Sequence, residues 1–80
     1  MSQKPVSERA RRFGIAIRKL RIEKRRTQDD FADLVGNNRS YHGEIERGET
    51  SVSLEKVSSM AEKLGLKTSE FIKKLEDYGY

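Results

Sequence analysis

Apolar residues recur along this chain at helical rather than strand spacing. In "SERARRFGIAIRKLRIEKRR" the positions Phe13, Ala16, Ile17 and Leu20 form one stripe, with Arg and Lys on the other faces. Ser7 is placed as the cap of a helix spanning residues 7 to 24, and Pro5 lies just outside it. "TQDDFADLVG" follows, with Phe31, Ala32, Leu34 and Val35 apolar and Gly36 as a stop. Thr27 with Asp30 three residues on has the form of a capping box, and acidic residues in a first turn favour the helix dipole. After "GNN", Asn38 suits the cap of a third short helix, "RSYHGEIERG", in which Ile45 points inward and Gly48 terminates. "SVSLEKVSSMAEKLG" places Leu54, Val57, Met60, Ala61 and Leu64 on one face between Ser53 and Gly65. "TSEFIKKLEDYGY" adds Phe71, Ile72, Leu75 and Tyr78. No stretch alternates with period two long enough to predict a strand. The expectation is an all-α fold of five helices around one core, over residues 7–78, behind a disordered arm at residues 1–6. The last two residues are also expected to be disordered.

Composition narrows the function. Of 80 residues, 34% are apolar and 38% charged, which allows a core of about a dozen side chains but no deep substrate cavity. The chain has no cysteine, which excludes a thiolate metal site and a thiol nucleophile, and its single histidine, His42, has no second one to share a metal. "GEIERGE" lacks the strand and spacing of a phosphate-binding loop. No apolar run approaches the roughly 20 residues that span a bilayer, and the N-terminus lacks a signal-peptide core. We therefore expect a non-enzymatic, cytoplasmic protein with no cofactor or metal and no membrane association.

Charge is uneven. Residues 1–26 carry ten Lys/Arg against two Glu, whereas residues 27–80 carry seven Lys/Arg against eleven acidic groups. A one-sided basic segment attracts polyanions, or is simply a solvated helix face. Its amphipathic character would also suit a membrane surface, but the narrow apolar stripe is needed to cover the other helices.

Two short helices joined by a tight turn form a helix-turn-helix. Six elements in register, "IRKLR", "TQ", "A..VG" before the turn, "IERG", "SL" and "A..LG", resemble the lambda-repressor/Cro (XRE) type of transcriptional regulator from about Phe13 to Ile72. "NRSYHGEIERG" is most similar to the controller proteins of restriction-modification systems. The resemblance implies that the second helix crosses the DNA backbone and the third enters the major groove with its first residues at base edges. Base readout then falls to Arg39, Ser40, Tyr41 and Glu44. Arg39 can meet O6 and N7 of guanine together, or a phosphate instead. Tyr41 can offer its hydroxyl or ring edge to DNA, or pack inside. Glu44 can accept from cytosine, or brace Arg39 or Arg47. Gly43 lets the helix approach DNA closely. Thr27, Gln28, Arg25, Arg26 and Asn38 are the expected backbone contacts.

The resemblance also implies an ion pair between Arg21 and Glu46. Departures from the family pattern are Arg25, where glycine is common, Arg26 and Asn37 at usually apolar or small positions, and His42 at a core-facing one, expected to be a satisfied, partly buried histidine. One helix-turn-helix reads few base pairs, so a homodimer on a near-palindromic double-stranded operator is expected. Its surface is placed on Phe71, Ile72, Leu75 and Tyr78, a stripe too wide for one small core. The alternative is a protein-interaction module of antitoxin or anti-regulator type, with weak or lost DNA binding and an unidentified protein partner.

Overall fold

A computed structural model of the chain describes residues 4–80. Five helices follow one another: α1 (Glu8–Glu23), α2 (Gln28–Val35), α3 (Arg39–Glu46), α4 (Leu54–Lys63) and α5 (Thr68–Asp77). The described residues contain no strand. Four helices begin as expected. The side chains of Ser7, Thr27, Asn38 and Ser53 accept from the backbone N–H three residues on, satisfying donors that a helix start leaves orphaned. At Thr27 only this half of the capping box forms. The start of α5 is held differently, by the Glu70 carboxylate accepting from Lys67 N at 2.8 Å and by Thr68 Oγ1 on Ser58 Oγ at 3.0 Å.

Helix α1 packs on α3 and α5, α2 packs on α3 and α4, and α4 packs on α5. Their shared core contains Phe13, Ala16, Ile17, Leu20, Phe31, Val35, Ile45, Val57, Met60, Ala61, Phe71 and Leu75. The helices α2 and α3 have only eight residues each, too short to persist alone, so this core is what keeps them helical.

The structure corrects several expectations. Leu54 is 75% exposed, since it opens α4 before the helix turns its apolar face inward. Tyr80 is placed rather than disordered: its N–H donates to Leu75 O, and its ring meets Phe13 edge-on at 5.5 Å. An aromatic ring beside an aromatic partner gives the chain end an apolar seat. Of the expected arm, residues 1–3 lie outside the described part, but Val6 N–H donates to Gly48 O at 2.9 Å. Phe71 and Leu75 are wholly buried in the chain's own core and offer no surface to a second copy, leaving half-buried Ile72 on α5 and half-buried Tyr78 just beyond its end.

Two backbone positions control docking and connection. Gly14 faces the end of α3, where an added Cβ would collide with Ile45 O and come within 2.6 Å of Glu46 O. Helix α1 can approach α3 this closely only without a side chain there. Arg25 adopts φ 56°, a left-handed conformation that costs a side-chain-bearing residue about 1–2 kcal/mol. That explains the departure noted at this position: the turn after α1 favours glycine and carries arginine instead. Replacing Arg25 by Gly is therefore expected to raise stability by roughly 1 kcal/mol. Gly14→Ala should lower it by about 1–3 kcal/mol, because the neighbouring backbone must move. Urea unfolding followed by circular dichroism measures both.

Candidate nucleic-acid interface

The turn between α2 and α3 is set by three consecutive residues. Gly36 closes α2 in the left-handed conformation, and its N–H and that of Asn37 return to the last turn of the helix. Asn37 is buried, with Nδ2 3.9 Å from Met60 Sδ and Oδ1 without a partner. Asn38 caps α3 by accepting from Tyr41 N at 2.8 Å. Arg39 therefore opens α3 at the surface.

Where the start of α2 meets the end of α3 lies a buried cluster. Glu46 Oε2 accepts from Arg21 Nε and from His42 Nε2, both at 2.6 Å. Its Oε1 accepts from Arg21 Nη2 at 3.2 Å and from Gln28 Nε2 at 3.0 Å. The expected Arg21–Glu46 pair is present, and two further side chains join it. His42 is fully buried with its ring tilted against Phe31, so it is more enclosed than expected, and its Nδ1 has no partner. Gln28 keeps its position at the head of α2, but its amide N–H is committed to Glu46. Because a carboxylate only accepts, the Gln28 carbonyl must point away from it. Arg21 also donates through Nη1 to Arg26 O at 2.9 Å, fixing the connection into α2.

The remaining backbone-contact candidates lie at the surface. Thr27 and Asn38 each spend one acceptor on capping, which leaves the Thr27 hydroxyl proton and the Asn38 Nδ2 donors. Arg25 and Arg26 are exposed.

On the outer face of α3, Arg39 Nε lies 3.1 Å from Asp29 Oδ1 on α2, an exposed pair. Ser40 is exposed. Tyr41 is half-buried beneath Lys56, whose Nζ sits 5.6 Å from the ring centre. Burial, followed by the charge of Glu44, raises the Tyr41 phenol above its ordinary value, so it keeps its proton to donate. Glu44 is exposed and braces neither arginine: Arg39 is held by Asp29 and Arg47 by Glu49. The space above Gly43 is also filled differently from expectation, by the heads of Arg39 and Arg47 rather than left open for DNA. Asp29, Glu49, Lys56 and the partnership of His42 with Glu46 were not singled out from sequence. The spacing of Arg39, Gly43 and Arg47 in steps of four was visible and marks one row on a helix. Among the described residues no cluster of acidic, His or Cys groups could hold a metal, and no helix is long and apolar enough to cross a membrane.

A turn of this geometry between two eight-residue helices, with a polar exposed face on the second, coincides with a match of the helix-turn-helix (HTH_3) family profile to residues 17–71. The chain belongs to the helix-turn-helix family. It is a DNA-binding transcription regulator of this family rather than an enzyme. The helix-turn-helix chain is 36% identical over 66 residues to the control protein C.MunI of a Mycoplasma species, covering 81% of this chain and 89% of that one. It is similar to the crystal structure of the restriction-modification controller protein C.AhdI from Aeromonas hydrophila, with a TM-score of 0.70 and 35% identity over 81% of this chain and 98% of that one. The restriction-modification controller protein C.Esp1396I gives a TM-score of 0.74 at 25% identity, covering 90% and 92%.

The Glu46 carboxyl links this helix-turn-helix to pH. Burial would raise it, but hydrogen bonds from His42, Arg21 and Gln28 outweigh burial and bring it from 4.5 down to about 2. A carboxyl depressed in the folded state stabilises the fold above its ordinary value of 4.5 and loses that contribution as pH falls toward 2. The contribution is on the order of 3 kcal/mol, taking about 1.4 kcal/mol per pH unit. Glu46→Gln should therefore be less stable near neutral pH and show a flatter decline between about pH 4.5 and 2. Glu8 and Glu49, lowered by Arg11 and Arg47, titrate in both proteins and cancel in the comparison. Thermal melts of the two proteins across that range check it; equal slopes would remove Glu46 from its assigned place.

Proposed function

We propose that this protein is a restriction-modification-type controller that reads a near-palindromic operator as a homodimer, with α3 in the major groove. The observation that supports this best is Arg39: it opens α3 at the exposed end of the helix-turn-helix, with Asp29 orienting its guanidinium. A planar fork held in place is suited to the paired acceptors of guanine. Ser40 and Tyr41 stand beside it, and Glu44 is free to accept from a cytosine amine. Thr27, Gln28, Arg25, Arg26 and Asn38 take the flanking phosphates through the donors left after capping and the Glu46 contacts. The basic outer surface of α1 adds long-range attraction.

Binding to a duplex selected by the wild-type chain from a random-sequence library should weaken with salt at a log–log slope of about −5, the value for roughly six neutralised phosphates. Arg39→Ala should cost about 1–3 kcal/mol on that duplex and relax preference at one base pair in each half-site. Fluorescence anisotropy with matched and mismatched duplexes measures both. An equal loss on selected and random DNA would make Arg39 a phosphate ligand.

Pairing falls to the outer face of α5. With Phe71 and Leu75 committed to the core, Ile72 and Tyr78 are the members of the stripe that a second copy can cover. Half-sites about 34 Å apart would then face the two copies of α3. Ile72→Asp should give a folded monomer by analytical ultracentrifugation at micromolar concentration, whereas Leu75→Asp should unfold the chain. A wild-type chain that remains monomeric on its operator would overturn the dimer.

A further inference from the structure

The heads of Arg39 and Arg47 converge over Gly43. A Cβ added at Gly43 would lie 2.9 Å from Arg39 Nη1 and 2.9 Å from Arg47 Nη1, so the two nitrogens are at most twice that distance apart. Two guanidinium ions facing each other repel unless their charge is balanced. Here each has its own carboxylate: Asp29 Oδ1 at 3.1 Å from Arg39 Nε, and Glu49 on both Nε and Nη2 of Arg47 at 2.8 and 3.0 Å. The result is a row, acid–base–glycine–base–acid, whose formal charges cancel while the Nη1 donors remain available. Exposed Glu44, next to Gly43, makes the same region less attractive to an anion.

We propose that Arg47 is a second base-reading side chain and that Arg39 and Arg47 act as a unit, presenting two donors to the acceptor edges of adjacent base pairs. The inference rests on the proposed entry of α3 into the major groove. Charge cancellation decides the ligand. A phosphate oxygen gains little from arginines already neutralised by carboxylates, whereas the uncharged O6 and N7 of guanine need donors and no net charge. Neighbouring base pairs are about 3.4 Å apart, a separation within the reach of the paired Nη1 groups. Gly43 is the positioning element, because any side chain there displaces both heads.

The test starts from duplexes selected out of a random-sequence library by the full wild-type chain. Affinity is then measured on the selected duplex, on each single-base-pair variant and across a salt series, for wild type, Arg47→Ala, Arg47→Lys and Gly43→Ala. Arg47→Ala should flatten preference about tenfold at a base pair adjacent to the one lost in Arg39→Ala, with an unchanged log–log salt slope. Arg47→Lys should not restore that preference, since an ammonium lacks the planar fork. Gly43→Ala should flatten both positions while keeping its helical circular dichroism, because the added methyl meets only the ends of flexible side chains. A uniform loss on every duplex with the slope shallower by about 1 would make Arg47 a phosphate ligand and overturn the proposal. So would an Arg47→Ala protein with wild-type preferences, or a Gly43→Ala protein that keeps both. A wild-type chain that selects no sequence fails earlier, at the docking of α3, and takes this inference with it.

Discussion

The carboxylate of Glu46 is the point on which three helices agree. It sits at the last residue of α3 and receives Arg21 from α1, Gln28 from the head of α2, and His42 from one turn earlier in α3. Nearly removed from water, an unpaired carboxylate would cost several kcal/mol; with four donated hydrogen bonds it becomes a rigid joint instead. The angle at which α3 leaves the body is thus set by a charged cluster and not only by apolar packing. Gly14 sets the complementary distance, by allowing the backbone of α1 to lie against the carbonyls at the end of α3. One residue fixes direction and the other fixes depth.

The sequence made the fold largely legible because the apolar stripe of each helix keeps its period up to a recognisable cap. Ser7, Thr27, Asn38 and Ser53 each signalled a start that the backbone uses. Where period alone had to allocate a residue between inside and outside, it failed in both directions. Leu54 belongs to the stripe of α4 but precedes its burial, and Phe71 and Leu75 looked like surplus surface although the core absorbs them. A helical stripe shows which residues share a side, while the neighbouring helices decide how much of that side is covered.

The site was legible by position rather than by partnership. Arg39, Ser40 and Glu44 are exposed on α3, and Gln28 heads α2, but nothing in residue spacing joins Asp29 to Arg39 across the turn or Gln28 to Glu46. Such contacts depend on the crossing of two helices, which a one-dimensional pattern does not encode. His42 illustrates the same limit. Its departure from an apolar pattern was visible, but its placement depended on finding a carboxylate one turn away, inside the core, already shared with an arginine.

Helix α3 interleaves two populations of residues within eight positions. His42, Ile45 and Glu46 are sealed into the body, whereas Arg39, Ser40 and Glu44 meet solvent. No side-chain hydrogen bond or ion pair joins the two sets, so substitutions in the outer set leave the polar anchoring of the helix untouched. Under the proposed function, this separation would let operator preference change by small surface exchanges, without passing through an unfolded intermediate genotype. The fold also limits that change. Asp29 lies on a different helix from the arginine it pairs with, so under that proposal a replacement at position 39 inherits a partner suited to guanidinium until a second substitution, ten residues upstream, releases it.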